Sequence, residues 1–509
     1  MLSKTLCYAL SGIDGLPITV ECGITPGTPG FEIVGLPDTA VKESRERIRS
    51  AVSSSGIIFP PDRIIINLAP ADIRKESSAF DLPVAIAILA SSELIPAAKV
   101  EHVAFMGELA LDGSLRPVRG ALPLVISARE NGVKTVVLPK VNACEVTCVE
   151  GIEIIAAESL IDVIKHITGR CALEPVKTVK YEELLRERVY SNDFKNVKGQ
   201  ASAKRALTIA AAGGHNVLMV GAPGSGKTLM ARCMPSILPD MSFEEALTST
   251  RIHSAAGLSI ENGLLTERPF RAPHHTASHV SIIGGGKLAL PGEISKAHNG
   301  ILFLDETVEF KKDSLEALRQ PMEDGFVTVT RINAQSTYPA EFMLVCAINP
   351  CPCGMLGSRT KQCRCTPNEV KRYLGRMSGP LLDRIDIHIE VESIPPEKLA
   401  ETSEGQSSAE MKLIVEKART LQRERYKEDK IPCNARLGSS TISKYCKLTK
   451  SATKLLNVAS ERMGFSNRSY TRIIKVARTI ADIDGAEAID AEQISEALQY
   501  RVIDEKYWG

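Results

Sequence analysis

The sequence predicts an α/β protein of more than one domain that closes in an all-helical segment, and three observations carry this. Over residues 1–170 short β-rich runs alternate with helical patterns. From residue 192 a second alternation starts, and its first apolar run, HNVLMV, leads straight into GAPGSGKT and another helical pattern. From residue 396 to the end only helical periodicity is left. The length of 509 residues agrees; it suits two to four domains of roughly 100–200 residues each.

The elements can be justified in order. In residues 1–170 the strand-like runs are ITVECGI, FEIVGLP, RIIINLAP, KTVVLPK and IEIIAAE. They alternate with TAVKESRERIRSAVSSSG and ALPLVISARENG, which have helical spacing. Residues 171–191 are polar and charged and read as a linker. Residues 192–395 form the second α/β unit, with a helix at GQASAKRALTIAAAGG and strands at HNVLMV, ILFLDE, FVTVT, FMLVCAIN and IDIHIEV. Residues 396–509 carry the helices SAEMKLIVEKARTLQRERYKED, SATKLLNVASERMG, SYTRIIKVARTIADIDG and DAEQISEALQYRVID. Asp490 and Glu492 open the last of these, where acids favour the helix dipole.

Composition excludes several classes. Hydrophobic residues at 44% and charged residues at 24% are those of a globular chain, not of a disordered or low-complexity one. The net charge is +1, from 62 basic and 61 acidic residues, so any nucleic-acid binding must use local patches. One Trp and 5% aromatics argue against single-strand reading on an aromatic platform. The longest apolar run, LPVAIAILASSELIP, is broken by Ser91, Ser92 and Glu93 and is too short to span a bilayer. The N-terminus lacks the apolar stretch of a signal peptide. A cytoplasmic chain with no membrane partner is expected, its scattered Cys7, Cys22, Cys233 and Cys446 being buried thiols.

The strongest motif is Gly221, Ala222, Pro223, Gly224, Ser225, Gly226, Lys227 and Thr228, which fits G-x-x-x-x-G-K-[ST] between a strand and a helix. Glycines let backbone amides encircle phosphate oxygens, and the helix behind them adds its positive end. Lys227 can reach the β- and γ-phosphates of ATP, and Thr228 can place its hydroxyl on Mg²⁺. Alone, ILFLDE is an ordinary buried strand with polar turn residues. Downstream of such a loop, it delivers Asp305 to Mg²⁺ and Glu306 to the attacking water. A third strand ends at Asn349, whose amide can touch the γ-phosphate or that water. Arg384 stands between Asp383 and Asp386, either in a surface ion-pair network or as an arginine finger on a neighbouring subunit's ATP. Arg468 and Arg472 open a late helix, and either can reach a γ-phosphate.

In that order these elements resemble the AAA+ ATPases, and RPFRAPHHTASHVSIIGGGKLALPGEISKAHNGILFLDE resembles their magnesium-chelatase branch. The resemblance implies Asn349 as sensor 1, Arg384 as arginine finger and Arg468 as sensor 2, ahead of Arg472. GELALDGSLRPVRGALPLVISARENGVKTVVLPK resembles the C-terminal, S5-like domain of Lon protease and the similar domain of RadA. The Lon chemistry is missing: no GPSAG is present, Leu122 falls where the lysine belongs, and Ser77 and Ser78 have no evident base. A Lon-like domain, residues 1–170, followed by a linker, a chelatase-type AAA+ domain (192–395) and a helical lid (396–509) resembles the ComM/YifB family.

That resemblance implies a hexameric, ATP-driven DNA helicase that promotes branch migration in recombination and natural transformation. DNA as partner comes from the resemblance, not from composition. Under it, Arg331 near a hairpin turn and Lys287 in the insertion are candidate DNA contacts. His274 and His275 are further pore candidates, though paired histidines more often hydrogen-bond locally. A chelatase-type motor acting on a protein partner for metal insertion is the alternative, and the Lon-like half argues against it. An ATP-dependent protease is a third class, disfavoured by the missing dyad.

One cysteine group stands apart. Cys351, Cys353, Cys363 and Cys365 form C-x-C, nine residues, C-x-C. Four thiolates on one loop suit a structural Zn²⁺, with Lys361 and Arg364 offsetting charge. Two disulfides, or reduced thiols in a loop, are the alternatives.

Overall fold

The structure is a computed structural model. It describes the chain except residues 1, 37–38, 72–77, 187–189, 259, 261–262, 287–288, 332–333, 358–361, 394–404 and 509. Ser77, Lys287 and Lys361 therefore lie outside the described residues. So do the side chains of Arg331 and of a few other residues in helices or strands.

The expected α/β class is observed. The N-terminal part holds a seven-stranded mixed sheet. Its order is Gly30–Val34, Arg63–Ala69, Asp14–Thr25, Leu2–Ser11, Val103–Phe105, Thr135–Pro139, Glu153–Ala157. The strand Leu2–Ser11 was not foreseen. It pairs antiparallel with Asp14–Thr25 over its full length, because Cys7, Ile18, Val20 and Cys22 share a buried face. The run from Leu82 is the helix Asp81–Ser91, buried on every side, which explains its unbroken apolar character. Leu122, in the helix Ala121–Glu130, is buried in the apolar core.

The second sheet is parallel throughout, in the order Phe270–Arg271, Ile301–Leu304, Met343–Ile348, Val217–Gly221, Ile387–Val391. The strands Val217–Gly221, Ile301–Leu304 and Met343–Ile348 are buried on both faces, and this gives the unbroken apolar runs seen in the sequence. Being parallel, all strands end on one edge, and that edge gathers the motif residues.

Beyond residue 404 the described residues form helices, chiefly Ser408–Arg425, Lys450–Met463, Asn467–Asp484 and Ala491–Trp508. The last packs on the strand Ile387–Val391: Tyr507 and Lys506 bond Glu390, and Arg501 donates to the Ile385 carbonyl at 2.8 Å. The helix Phe243–Ala255, also not foreseen, joins the two sheets. Arg251 donates to the Ile13 carbonyl (3.1 Å) and pairs with Asp14, and Ser254 donates to Glu145 (3.1 Å). No helix among the described residues is long and apolar enough to cross a membrane.

Candidate nucleotide site

The strand Val217–Gly221 delivers its carboxyl end into a tight loop, and the helix Lys227–Cys233 starts behind it. Gly224 and Gly226 hold φ of +77° and +96°, in the left-handed region that favours glycine. Gly221 has no room for a side chain, since a Cβ would lie 2.4 Å from the Val391 carbonyl. Lys227 is buried inside the loop. Its ammonium donates to the carbonyls of Gly221 (2.6 Å) and Ala222 (3.0 Å) and reaches Asn349 Oδ1 at 3.4 Å. Burial pushes the Lys227 pKa down to about 8, against the pull of Asp305 and Glu306. Gln200, which sequence reasoning missed, ties the loop to the far strand: its amide donates to the Glu392 carbonyl at 2.6 Å and nears Ser225 O at 3.5 Å.

The acidic strand end stands opposite. Thr228 Oγ1 donates to Asp305 Oδ2 at 2.7 Å, so the hydroxyl and carboxylate proposed for Mg²⁺ already share one locus. Both are hard oxygen donors, as Mg²⁺ requires. Glu306 holds φ of +48°, an unusual backbone for a residue with a Cβ, and strain of that kind concentrates at functional sites. Its carboxylate lies 3.6 Å from His275 Nδ1. His274 hydrogen-bonds locally with Thr276 at 2.9 Å, as paired histidines tend to, and its ring packs on His275 with centroids 4.1 Å apart. The neighbour of Glu306 is thus a histidine from the insertion, a contact with no signal in the spacing.

Arg384 is elsewhere. Its carbonyl accepts from Asn216 Nδ2 at 3.0 Å, and Asn216 immediately precedes the strand Val217–Gly221. Arg384 therefore sits at the amino edge of the sheet, opposite the phosphate loop. A five-residue strand separates those edges by about 15 Å. Its guanidinium is buried and pairs with Glu323 at 2.6 Å, while Nη1 donates to the Pro380 carbonyl at 2.7 Å. Arg468 reaches the same Glu323 carboxylate at 3.3 Å but is exposed. Arg472 is a different case: it is mostly buried and lies 3.3 Å from Asp386, inside the fold. Burial raises the Asp386 pKa, but Arg472 and His215 more than offset it and hold the carboxyl well below its usual range.

Residues 193–399 match the family described as magnesium chelatase, subunit ChlI, and residues 405–501 its C-terminal part. Residues 20–142 match a family described as subunit ChlI of Mg-chelatase. The chain is 44% identical to the uncharacterized protein YifB of Escherichia coli, covering 99% of this chain and 97% of that protein. It is 41% identical to the competence protein ComM of Haemophilus influenzae, covering 99% and 98%. The chain belongs to the ComM/YifB family of magnesium-chelatase-like AAA+ proteins. The magnesium-chelatase 67 kDa subunit of Chlorobaculum parvum is similar over less of the chain, at 28% identity across 31% of it and 23% of that subunit. Because a chelatase family also matches residues 20–142, the N-terminal half does not by itself argue against a chelatase-type motor, contrary to the reading from sequence.

Within this family frame the remaining residues fall into place unevenly. Arg331 pairs with Ala334 at the tip of the hairpin Phe326–Arg331/Ala334–Pro339, as its spacing suggested, while its side chain is outside the described residues. The hairpin leans on the insertion through Tyr338, which donates to the Ala289 carbonyl at 2.8 Å. Ser78 donates to Glu108, a carboxylate, and Leu122 is buried in the core. Cys7, Cys22, Cys233 and Cys446 are buried free thiols, as expected. Cys351, Cys353, Cys363 and Cys365 converge, with their sulfurs all within 4.8 Å of one another.

Proposed function

We propose that the chain is an ATP-driven DNA motor working as a ring whose subunits meet head to tail, with a homo-hexamer as the assembly the family resemblance implies.

 

The observation that carries this reading is the division of the arginines and the phosphate loop between opposite edges of one parallel sheet. The groups that bind nucleotide and activate water are on the carboxyl edge, namely Lys227, Thr228, Asp305, Glu306 and Asn349. Arg384 and Arg468, gathered by Glu323, are with the amino edge and serve a neighbour's ATP. Mg²⁺ on Thr228 and Asp305 would neutralise charge on the β- and γ-phosphates. Glu306 orients and polarises the attacking water, Asn349 positions it against the γ-phosphate, and Lys227 holds the phosphate oxygens. DNA as the partner is supported by the full-length likeness to a competence protein, with Arg331 and Lys287 as the candidate contacts that the sequence offers.

The domains follow the same division: a Lon-like domain over 1–170 without the Ser/Lys dyad, a linker over 171–191, the ATPase domain over 192–395 and a helical lid over 396–509. Leu122, buried in the apolar core where the dyad lysine would fall, supports a non-proteolytic N-terminal domain, because an aliphatic side chain there can take no proton from a serine; among the described residues Glu108, which accepts from Ser78, is the one carboxylate at that hydroxyl. A chelatase-type motor acting on a protein partner is the second reading, favoured by the chelatase families that match most of the chain.

The deciding experiment is branch migration of a four-way junction with ATP and with a non-hydrolysable analogue, alongside ATPase rates with and without forked DNA and a casein digestion. Junction processing that needs hydrolysis, with DNA-stimulated turnover and intact casein, is the expected result. Turnover indifferent to every DNA structure would sink the DNA motor and favour the second reading.

A further inference from the structure

The four-cysteine loop lies against the nucleotide site. Cys351, fully buried, follows Asn349 by two residues at the end of the strand Met343–Ile348. Its sulfur is 3.4 Å from that of Cys353 and 3.7 Å from that of Cys363, and Cys353 and Cys363 are 3.6 Å apart. A disulfide would need about 2.05 Å, and all four cysteines are free. Around a tetrahedral ion with Zn–S bonds of ~2.3 Å, sulfurs sit ~3.8 Å apart. Backbone amides already point at the sulfurs: Leu356 N donates to Cys351 and Cys365 N to Cys363, each at 3.4 Å. Such donors stabilise thiolates and orient ligands. An all-sulfur set selects Zn²⁺ over the hard cations that Asp305 and Thr228 suit.

The loop also touches the phosphate site. Gly354 holds φ of +75° inside the turn, where its amide donates to the Cys351 carbonyl at 2.9 Å. A Cβ on Gly354 would fall 2.5 Å from Cδ and 2.8 Å from Cγ of Pro223, and 3.9 Å from Cγ of Asn349. The turn therefore backs onto the phosphate loop and the strand-end amide together. At its other end Thr366 caps the helix Pro367–Leu374, which leads into the segment carrying Arg384.

We propose that Cys351, Cys353, Cys363 and Cys365 bind one Zn²⁺ that fixes the Gly354 turn against Pro223 and Asn349, so that zinc occupancy sets the working geometry of the ATP site. Binding breaks four S–H bonds and forms four Zn–S bonds; the protons leave to solvent and no electrons are transferred. The closed shell leaves no open coordination position, so the ion is structural. The zinc site stands on its own geometry, whereas its effect on turnover rests on the ATPase reading above.

The test uses the full-length chain purified without chelator. Elemental analysis should give one zinc per chain, and cobalt substitution should give the absorption of a tetrahedral tetrathiolate. Cys353→Ser with Cys363→Ser should abolish both. Stripping zinc from the wild type with a thiol reagent and chelator should lower kcat about tenfold to a hundredfold, since small misplacements of catalytic groups cost that much. Thiol reduction with added Zn²⁺ should restore it. If the double variant does not fold, stripping and restoring the wild type decides the matter. Metal-free protein with four reduced thiols would overturn the site. Zinc-bound protein whose turnover ignores stripping would overturn the coupling. Zinc at one per chain with no ATP hydrolysis by the untreated chain would instead overturn the ATPase reading and the coupling with it, leaving the metal site in place.

Discussion

Replacing Arg384 by alanine separates a residue that works in its own chain from one that works in the next. The structure puts its backbone at the amino edge of the sheet, about 15 Å from the phosphate loop across a five-residue strand. No rotamer of one side chain closes that gap, so Arg384→Ala should bind a fluorescent ATP analogue as tightly as the wild type. Turnover in the assembled ring should fall by 10³ or more, about 4 kcal/mol of transition-state stabilisation, the range seen when an arginine finger is removed. The fold should survive, because the partner left behind, Glu323, is 45% exposed and can be solvated. Mixing Arg384→Ala with Lys227→Ala subunits makes the argument quantitative. At equal, random mixing about one head-to-tail interface in four joins an intact phosphate loop to an intact arginine. A recovery near a quarter of wild-type turnover is expected from subunits firing independently, and less if they fire in sequence. Mixed rings, shown to form, that recover nothing would refute the assignment. So would a tenfold loss of nucleotide affinity in Arg384→Ala alone.

Three further outcomes follow from the same geometry. Arg468→Ala should melt like the wild type and lose turnover, whereas Arg472→Ala should lower stability by up to about 3 kcal/mol by taking the guanidinium from the buried Asp386, which keeps His215 and the Asn216 amide; thermal melts beside ATPase rates separate them. Because burial holds the Lys227 pKa near 8, its charge is complete below that pH and is lost as pH rises through it. Nucleotide affinity should therefore fall above pH 8 with net proton uptake on binding, and a flat affinity between pH 7 and 9 by titration calorimetry would contradict this. Glu306→Gln should retain ATP binding and trap ATP unhydrolysed, since an amide cannot polarise water as a carboxylate does; filter binding followed by product analysis reads both.

How much of this was legible in the sequence depends on whether the information was local. The phosphate loop was, because Gly224, Gly226 and Lys227 are constrained by their own backbone and spacing. The buried strands were, because a parallel sheet covered on both faces leaves a run such as MLVCAI with no polar interruption. The strand Leu2–Ser11 was not, since exposed and buried residues alternate only from Leu2 to Thr5, and Cys7, Tyr8 and Ala9 are then buried in a row. The contacts of His275 with Glu306, of Glu323 with both arginines, and of Gly354 with Pro223 join residues far apart in the chain. No spacing rule can give them. The pairing of the arginines at one acid could not be read, though the order of the motifs named both residues.

The parallel sheet also constrains how subunits can meet. Its carboxyl edge carries the phosphate loop and the acid proposed to activate water, and its amino edge is fastened by Asn216, which bonds Arg384, Asp386 and Leu344 at once. The two edges face opposite ways. A two-fold dimer apposes one patch with its own copy, so it could complete no site from both edges. Head-to-tail repetition presents the amino edge of each subunit to the carboxyl edge of the next and completes every interior site. An open filament would leave its terminal phosphate loop without an arginine, while a closed ring leaves none. Glu323 fits this arrangement: a single half-exposed carboxylate holds Arg384 and Arg468 side by side, 2.6 and 3.3 Å from one oxygen, ready to exchange that acid for a neighbour's phosphate oxygens. Such an exchange costs little, because one anion replaces another around guanidinium groups whose fork geometry suits both.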